Sequence, residues 1–289
     1  MNKPSGQPAQ RMSQGLRLAA RPIRIGAGIP LKPDRRTPVW TDIAAAAEGL
    51  AQREPLLKPR LQSLILAHDN LGAGVAAVLA RRLGGADLEE APLRDLFLQL
   101  ADEDFAEKVA ADLRAVRERD PAGGDELHVL LNFKGFQALQ TYRIAHALWQ
   151  EGRTELAHAL SNQASIVFAV DIHPAARIGT GVMFDHGTGI VIGETTVIED
   201  NVSLLQNVTL GGTGKEHGDR HPKIRSGVMI GAGAKILGNI EVGTMSKIAA
   251  GSVVLHPVPP HTTVAGVPAR VVRRHHDDSC PSVEMDQRI

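Results

Sequence analysis

Residues 228–254 read VMIGAGAKILGNIEVGTMSKIAAGSVV, and within them Ile230, Ile236, Val242, Ile248 and Val254 fall six apart. Glycine keeps step at Gly231 and Gly243. A helix repeats its apolar face about every 3.6 residues and a half-buried strand every second residue, so neither generates this period. Hexads mark a parallel β-helix, in which three short strands make one coil and stacked apolar residues fill a triangular interior. Working back along the chain, Ile172, Ile178 and Phe184 keep the same spacing, as do Ile192, Ile198, Leu204 and Leu210. The phase slips by two residues between Phe184 and Ile192. It breaks again over 211–227, GGTGKEHGDRHPKIRSG, which is too polar and glycine-rich for a strand. A stacked coil can eject such a segment as a loop without losing its core, and such loops tend to carry function.

Upstream, the period is helical. Thr41-Asp42 can cap a run through Ala51, and Leu61–His68 and Leu71–Leu83 place apolar residues three and four apart. Pro92–Ala101 and Phe105–Val116 continue the pattern, and after the break Pro-Ala-Gly-Gly at 121–124 come Phe133–Glu151 and Thr154–Phe168. Short connections between amphipathic runs predict a helical domain over 40–170, followed by a β-helix over 171–272 and a flexible polar tail over 273–289. Residues 1–36 hold eight Lys or Arg against the single acid Asp34. They read as part of a disordered basic leader, 1–39, with an organelle transit peptide as the alternative.

Composition narrows the function classes. Lys plus Arg and Asp plus Glu number 32 each, giving a formal net charge of +0, which argues against a partner recognised by bulk charge such as nucleic acid or an anionic membrane. No apolar run approaches the roughly 20 residues of a membrane span. The lone Cys280 cannot form an internal disulfide and fits a reducing compartment. These features suggest a cytoplasmic protein, or an organellar one if the leader is a transit peptide.

The stretches VDIHPAARIG (170–179), DHGTGIVIGE (185–194) and NVTLGGTGKEHGDRHPKI (207–224) resemble the serine O-acetyltransferases of the hexapeptide-repeat acyltransferase superfamily. So do GVMIGAGAKILGNIEVG at 227–243 and AGVPARVV at 265–272, with RDPA at 119–122 and FKGFQALQTYRIAHALW at 133–149 in the helical half. The resemblance spans roughly Asp42 to Val272. It implies an α+β fold, an all-helical N-terminal domain followed by a left-handed parallel β-helix with an ejected loop. It also implies acetyl transfer from acetyl-CoA, as co-substrate, to the hydroxyl of L-serine, with no metal and no permanently bound cofactor. Trimers, paired into hexamers through the helical domains, are implied as well.

Acetylating serine requires deprotonation of a weakly acidic hydroxyl as it attacks a thioester, a task suited to a histidine base. The resemblance assigns that role to His186 and its orienting carboxylate to Asp171. Their fifteen-residue separation, close to one coil of about eighteen, predicts stacking and a hydrogen bond between them. Arg220 can fork onto the serine carboxylate, with His221 either as a second donor or as a group polarising the thioester carbonyl, and Asp120 and Asp185 match the family's partners for the ammonium group. Asp120 lies far away in sequence, so reaching the site needs the helical domain to fold back or a neighbouring subunit to contribute. His173 reads as structural. Acetyl-CoA is expected along the groove between coils, at Gly212, Thr213, Ala232 and Ala250, with Lys247 near the phosphates. Met245 and Ala249 stand where the family commonly has glycine.

The tail ends in Met-Asp-Gln-Arg-Ile. By resemblance, Ile289 would plug the active site of O-acetylserine sulfhydrylase, the next enzyme of cysteine biosynthesis. L-cysteine is the expected feedback inhibitor, because its charged ends match those of serine. Three rival readings remain: a sugar or amine acetyltransferase, a zinc-dependent β-helix carbonic anhydrase using His186, His217 and His221, and a non-catalytic scaffold retaining the tail. The helical domain and the GDRHPKI loop argue against the first, the histidine spacing is explained better by the acetyltransferase motifs than by zinc, and the intact Asp171, His186 and Arg220 argue against the scaffold.

Overall fold

The computed structural model describes residues 38–214, 217–275 and 280–289. The expected leader lies outside these as far as residue 37. Helix α1 (Pro38–Arg53) leads through a 3₁₀ turn into α2 (Lys58–Leu61), which runs on as a π-helical turn over Gln62–Leu66. Then come α3 (Leu71–Leu83), α4 (Glu90–Leu100), α5 (Glu103–Arg119), α6 (Glu126–Asn132), α7 (Lys134–Gln150) and α8 (Thr154–Phe168). Asn70, Asp102 and Asp125 cap α3, α5 and α6 by accepting from backbone amides three residues on, satisfying otherwise orphaned donors. Close packing of α1 on α3 depends on Gly74, where a Cβ would lie 2.3 Å from the ring of Trp40. None of the described helices is long and apolar enough to cross a membrane.

Ala169, at φ 55, ends α8 in the left-handed region and turns the chain into a parallel β-solenoid. Three sheets form the faces of its prism. One contains β1 (Val170–Ile172), β4 (Ile190–Ile192), β7 (Thr209–Gly211), β10 (Lys235–Leu237) and β13 (Val253–Val254). The second contains β2 (Arg177–Ile178), β5 (Val197–Ile198), β8 (Lys223–Ile224) and β11 (Glu241–Val242). The third contains β3 (Met183–Phe184), β6 (Ser203–Leu204), β9 (Met229–Ile230), β12 (Lys247–Ile248) and the hairpin β14 (Thr262–Gly266) and β15 (Ala269–Arg274). The hexad residues point inward as expected: Ile192, Leu204, Leu210, Ile230, Ile236, Val242 and Ile248 are almost wholly buried. Each such side chain contributes about 1.5–3 kcal/mol of hydrophobic stabilisation.

Coil length is not uniform. Asp171 pairs with Val191, Val191 with Thr209, Thr209 with Lys235 and Lys235 with Val253, so successive coils take twenty, eighteen, twenty-six and eighteen residues. The two extra residues of the first coil lie in the turn at 185–189, and the eight extra residues of the third form the loop before β8. The boundary expected at 272 falls inside β15. Beyond it, the expected flexible tail carries a short helix α9 (Pro281–Glu284) with Pro281 and Ser282 buried, because Ser203 Oγ donates to Ser282 O at 2.8 Å.

Helix α7 closes the first coil and fastens the two modules together. Gly135 sits under the Phe184 carbonyl, where a Cβ would come within 2.2 Å of the oxygen. Tyr142 donates to Ala176 O, and Arg143 donates to Gly179 O at 2.7 Å. The same guanidinium meets the fully buried Asp112 of α5 at 2.7 Å, and Asp112 also accepts from Val182 N at 3.0 Å.

Candidate functional site

Most of the sequence candidates gather at two corners of the prism, on either side of the five-stranded sheet; Asp171, Lys247 and Ile289 lie elsewhere. At the corner between β3 and β4, Asp185 and His186 project from the lengthened turn. His186 adopts φ 55 and Gly187 φ 74, and a Cβ on Gly187 would lie 2.9 Å from Gly135 Cα. The chain is therefore pressed against α7, and the His186 side chain turns outward, 74% exposed, with Nε2 3.7 Å from Asp185 Oδ1. Asp120 reaches this corner from the helical domain. It is the C-terminal cap of α5, whose last residue, Arg119, is buried and donates to Ser203 Oγ at 3.1 Å. Partial burial raises the pKa of Asp185, the neighbouring Asp120 charge raises it further, and His186 opposes both.

Asp171 departs from its expected place. Because the turn at 185–189 lengthens the first coil, Asp171 stacks beside Val191, on the outer face of the five-stranded sheet. Among the described contacts, the carboxylate of Asp171 makes no hydrogen bond with His186, whose acidic neighbour is Asp185. The fifteen residues from Asp171 to His186 fall short of an eighteen-residue coil and further short of this twenty-residue one, so the two do not stack.

At the corner after the five-stranded sheet, the ejected loop folds back on the second coil. Thr195 is the anchor. Its Oγ1 accepts from Arg220 N at 3.0 Å and His221 N at 3.1 Å, and lies 2.9 Å from His221 Nδ1. Thr195 N also donates to that Nδ1 at 3.2 Å, so this network assigns the ring proton to Nε2. Burial depresses the His221 pKa, the adjacent Arg220 charge adds to the effect, and Glu194 opposes it. Gly193 makes room for the ring, since a Cβ there would lie 2.1 Å from the imidazole. Arg220 Nη2 pairs with Glu194 at 2.7 Å, and this bond holds the Glu194 carboxyl below its usual range. Gly193, Glu194 and Thr195 were missed as site residues because in the sequence they are an ordinary hexad turn. His173 packs edge-on against Trp149 and His158, consistent with a structural part.

The acetyl-CoA candidates are also divided. Gly212 and Thr213 lie at the root of the ejected loop, with Gly212 facing Arg220. Ala232 and Ala250 stack on adjacent coils at the corner that also carries His186, where Gly251 N donates to Ala232 O at 2.8 Å. Lys247, expected near phosphates, instead donates to the carbonyls of Asp286 at 2.6 Å and Arg288 at 2.8 Å. Met245 takes φ 55, a conformation for which glycine is the usual choice. Ile289, just past the pinned segment, is 60% exposed. Within one chain His186 stands at a different corner from His217 and His221, and among the described residues no three His, Cys, Asp or Glu side chains are grouped to hold a metal ion.

Two family models match the chain: the serine acetyltransferase N-terminal domain over residues 39–141, and the bacterial transferase hexapeptide over 221–256. The sequence is 57% identical to the serine acetyltransferase of Salmonella typhimurium over 253 residues, covering 87% of this chain and 92% of that one. A serine acetyltransferase solved in complex with cysteine superposes with a TM-score of 0.85 at 52% identity, over 87% of this chain and 98% of the other. The serine acetyltransferase of Brucella abortus strain S19, solved with coenzyme A, gives 0.81 at 50% identity, over 82% and 96%.

Proposed function

The chain belongs to the serine acetyltransferases, enzymes that use acetyl-CoA as co-substrate, and from that premise we propose how its residues divide the reaction. The serine hydroxyl attacks the thioester carbonyl carbon while His186 removes its proton. The tetrahedral oxyanion then collapses, the carbon–sulfur bond breaks, and the imidazolium returns the proton to the CoA thiolate. Transfer is direct, with no acyl-enzyme. The observation that carries this reading is the meeting of Asp120, Asp185 and His186, one histidine base beside two carboxylates. Those carboxylates suit the serine ammonium group, and Asp185 lies 3.7 Å from His186 Nε2. Asp171 contributes negative potential from the adjoining sheet face.

The serine carboxylate is left to Arg220, which keeps N–H donors beyond those it spends on Glu194 and Gly218 O, and to His221 Nε2–H. These donors stand across the five-stranded sheet from His186. The complete site therefore forms where the His186 corner of one chain meets the loop corner of the next, which a closed ring of three chains repeats at each interface. CoA follows the same seam, which brings Gly212 and Thr213 towards Ala232 and Ala250. L-cysteine, bound in a relative's solved structure, would occupy the serine position and inhibit competitively with serine. Ile289 would serve as the contact for the sulfhydrylase of cysteine biosynthesis.

The deciding assay is CoA release with L-serine, D-serine, homoserine and simple sugars, for wild type and His186→Ala. Turnover selective for L-serine, lowered about a hundredfold or more by the substitution, is expected. Activity surviving the substitution would remove His186 from the mechanism, and activity on sugars alone would replace the substrate.

A further inference from the structure

A second cleft, of about 740 Å³, opens on the face of the molecule formed by the four-stranded sheet. Its walls come from both modules. Leu100 and the start of α5 form one side, Tyr142 and Ala147 of α7 the top, and Ile178 and Val197 of the solenoid the floor. The volume falls in the range of small-molecule sites, about 300–1,000 Å³.

The charges around the cleft are unequal in one respect. Its carboxylates are engaged: Asp104 with Lys108 at 2.6 Å, Glu199 with Arg225 at 2.7 Å, Asp200 with Thr180 N at 2.7 Å, and Asp102 with Phe105 N at 2.9 Å. Arg143 is neutralised by Asp112. Arg177, which also lines the cleft, pairs through its backbone within the sheet, and its guanidinium has no partner among the described residues. An exposed arginine often lacks a partner; here it stands at the rim of a cleft of mixed polar and apolar lining, whose other cations Lys108 and Arg143 are spent on Asp104 and Asp112.

We propose that this cleft binds a small amphipathic carboxylate, its apolar body against Ile178, Val197 and Tyr142 and its charge on the Arg177 fork. A monoanion fits better than a phosphate dianion, because among the described residues of the cleft one unpaired cation stands with several carboxylates that would repel a second negative charge. The site is separate from the proposed serine and CoA positions, which flank the five-stranded sheet.

The test is calorimetric titration of the full chain with 3-phenylpropionate and its uncharged amide, for wild type, Arg177→Gln and the cleft-filling Ala147→Phe. Saturable binding of the carboxylate by wild type is expected, about tenfold or more weaker for the amide and for Arg177→Gln. Binding should be lost in Ala147→Phe at an unchanged melting midpoint, and should persist under saturating L-serine and CoA. No saturable binding by wild type, equal binding of the amide, an undiminished Arg177→Gln, or displacement by L-serine or CoA would overturn the proposal. The displacement result would place the probe in the substrate site and leave the proposed acetyl transfer untouched.

Discussion

Single side chains here take their chemistry from neighbours that sequence does not announce. His186 was legible as a candidate from the Asp-His-Gly triplet, but its outward pose follows from φ 55 and the pressure of Gly187 on Gly135. His221 was legible as a donor, whereas its ring orientation depends on Gly193 and Thr195. Gly193→Ala must displace that ring, so we expect a serine KM raised roughly tenfold with a smaller change in kcat, read from steady-state kinetics. The depressed pKa values of His221 and His173, both caused first by burial, have a consequence for stability. A histidine whose folded pKa lies below its unfolded value of about 6.5 binds a proton more readily when unfolded. Stability should therefore fall as pH drops below about 6.5, and urea midpoints across that range should fall less steeply in His221→Asn.

At the level of elements, α5, the ejected loop and segment 280–289 each set the position of a candidate group. The amphipathic pattern of α5 was visible in sequence. For Asp120 the sequence left two routes open, a fold-back of the helical domain or a neighbouring subunit, and Arg119 reaching Ser203 across the module boundary favours the first. The loop was recognisable as an interruption of the hexads, yet its return onto Thr195 required the folded second coil. Residues 273–289 read as a flexible tail because they are polar, and 280–289 belong to it. In the structure, Lys247 holds two of its carbonyls and Ser203 holds a third. Lys247→Ala should release it, seen as faster amide exchange over 281–288 with exchange in the solenoid strands unchanged.

For the molecule as a whole, the Asp112–Arg143 pair is the buried fastening between helices and solenoid. Removing one partner strands a buried charge, so Asp112→Ala should cost about 3–5 kcal/mol in denaturant unfolding. The double replacement Asp112→Leu with Arg143→Met should cost less. The division of candidates between two corners carries the oligomer prediction. His186→Ala and Arg220→Ala, each inactive alone, should regain about a quarter of wild-type activity when unfolded and refolded together in equal amounts. No recovery would mean that both residues serve the same chain's site.

The sequence by itself determined the architecture, because a six-residue apolar period has one economical packing and a three-to-four-residue period another, and both are local patterns. It also named the candidate groups, through stretches that resemble the serine acetyltransferases and whose residue types suit proton transfer and carboxylate recognition. Only the tertiary structure decided which groups meet. A two-residue insertion at one turn moved Asp171 alongside Val191, and a helix end bolted to the second coil brought Asp120 to Asp185. A triangular cross-section set Arg220 and His221 across a sheet from His186. Those outcomes depend on register and on contacts between distant segments, which side-chain spacing along the chain does not encode.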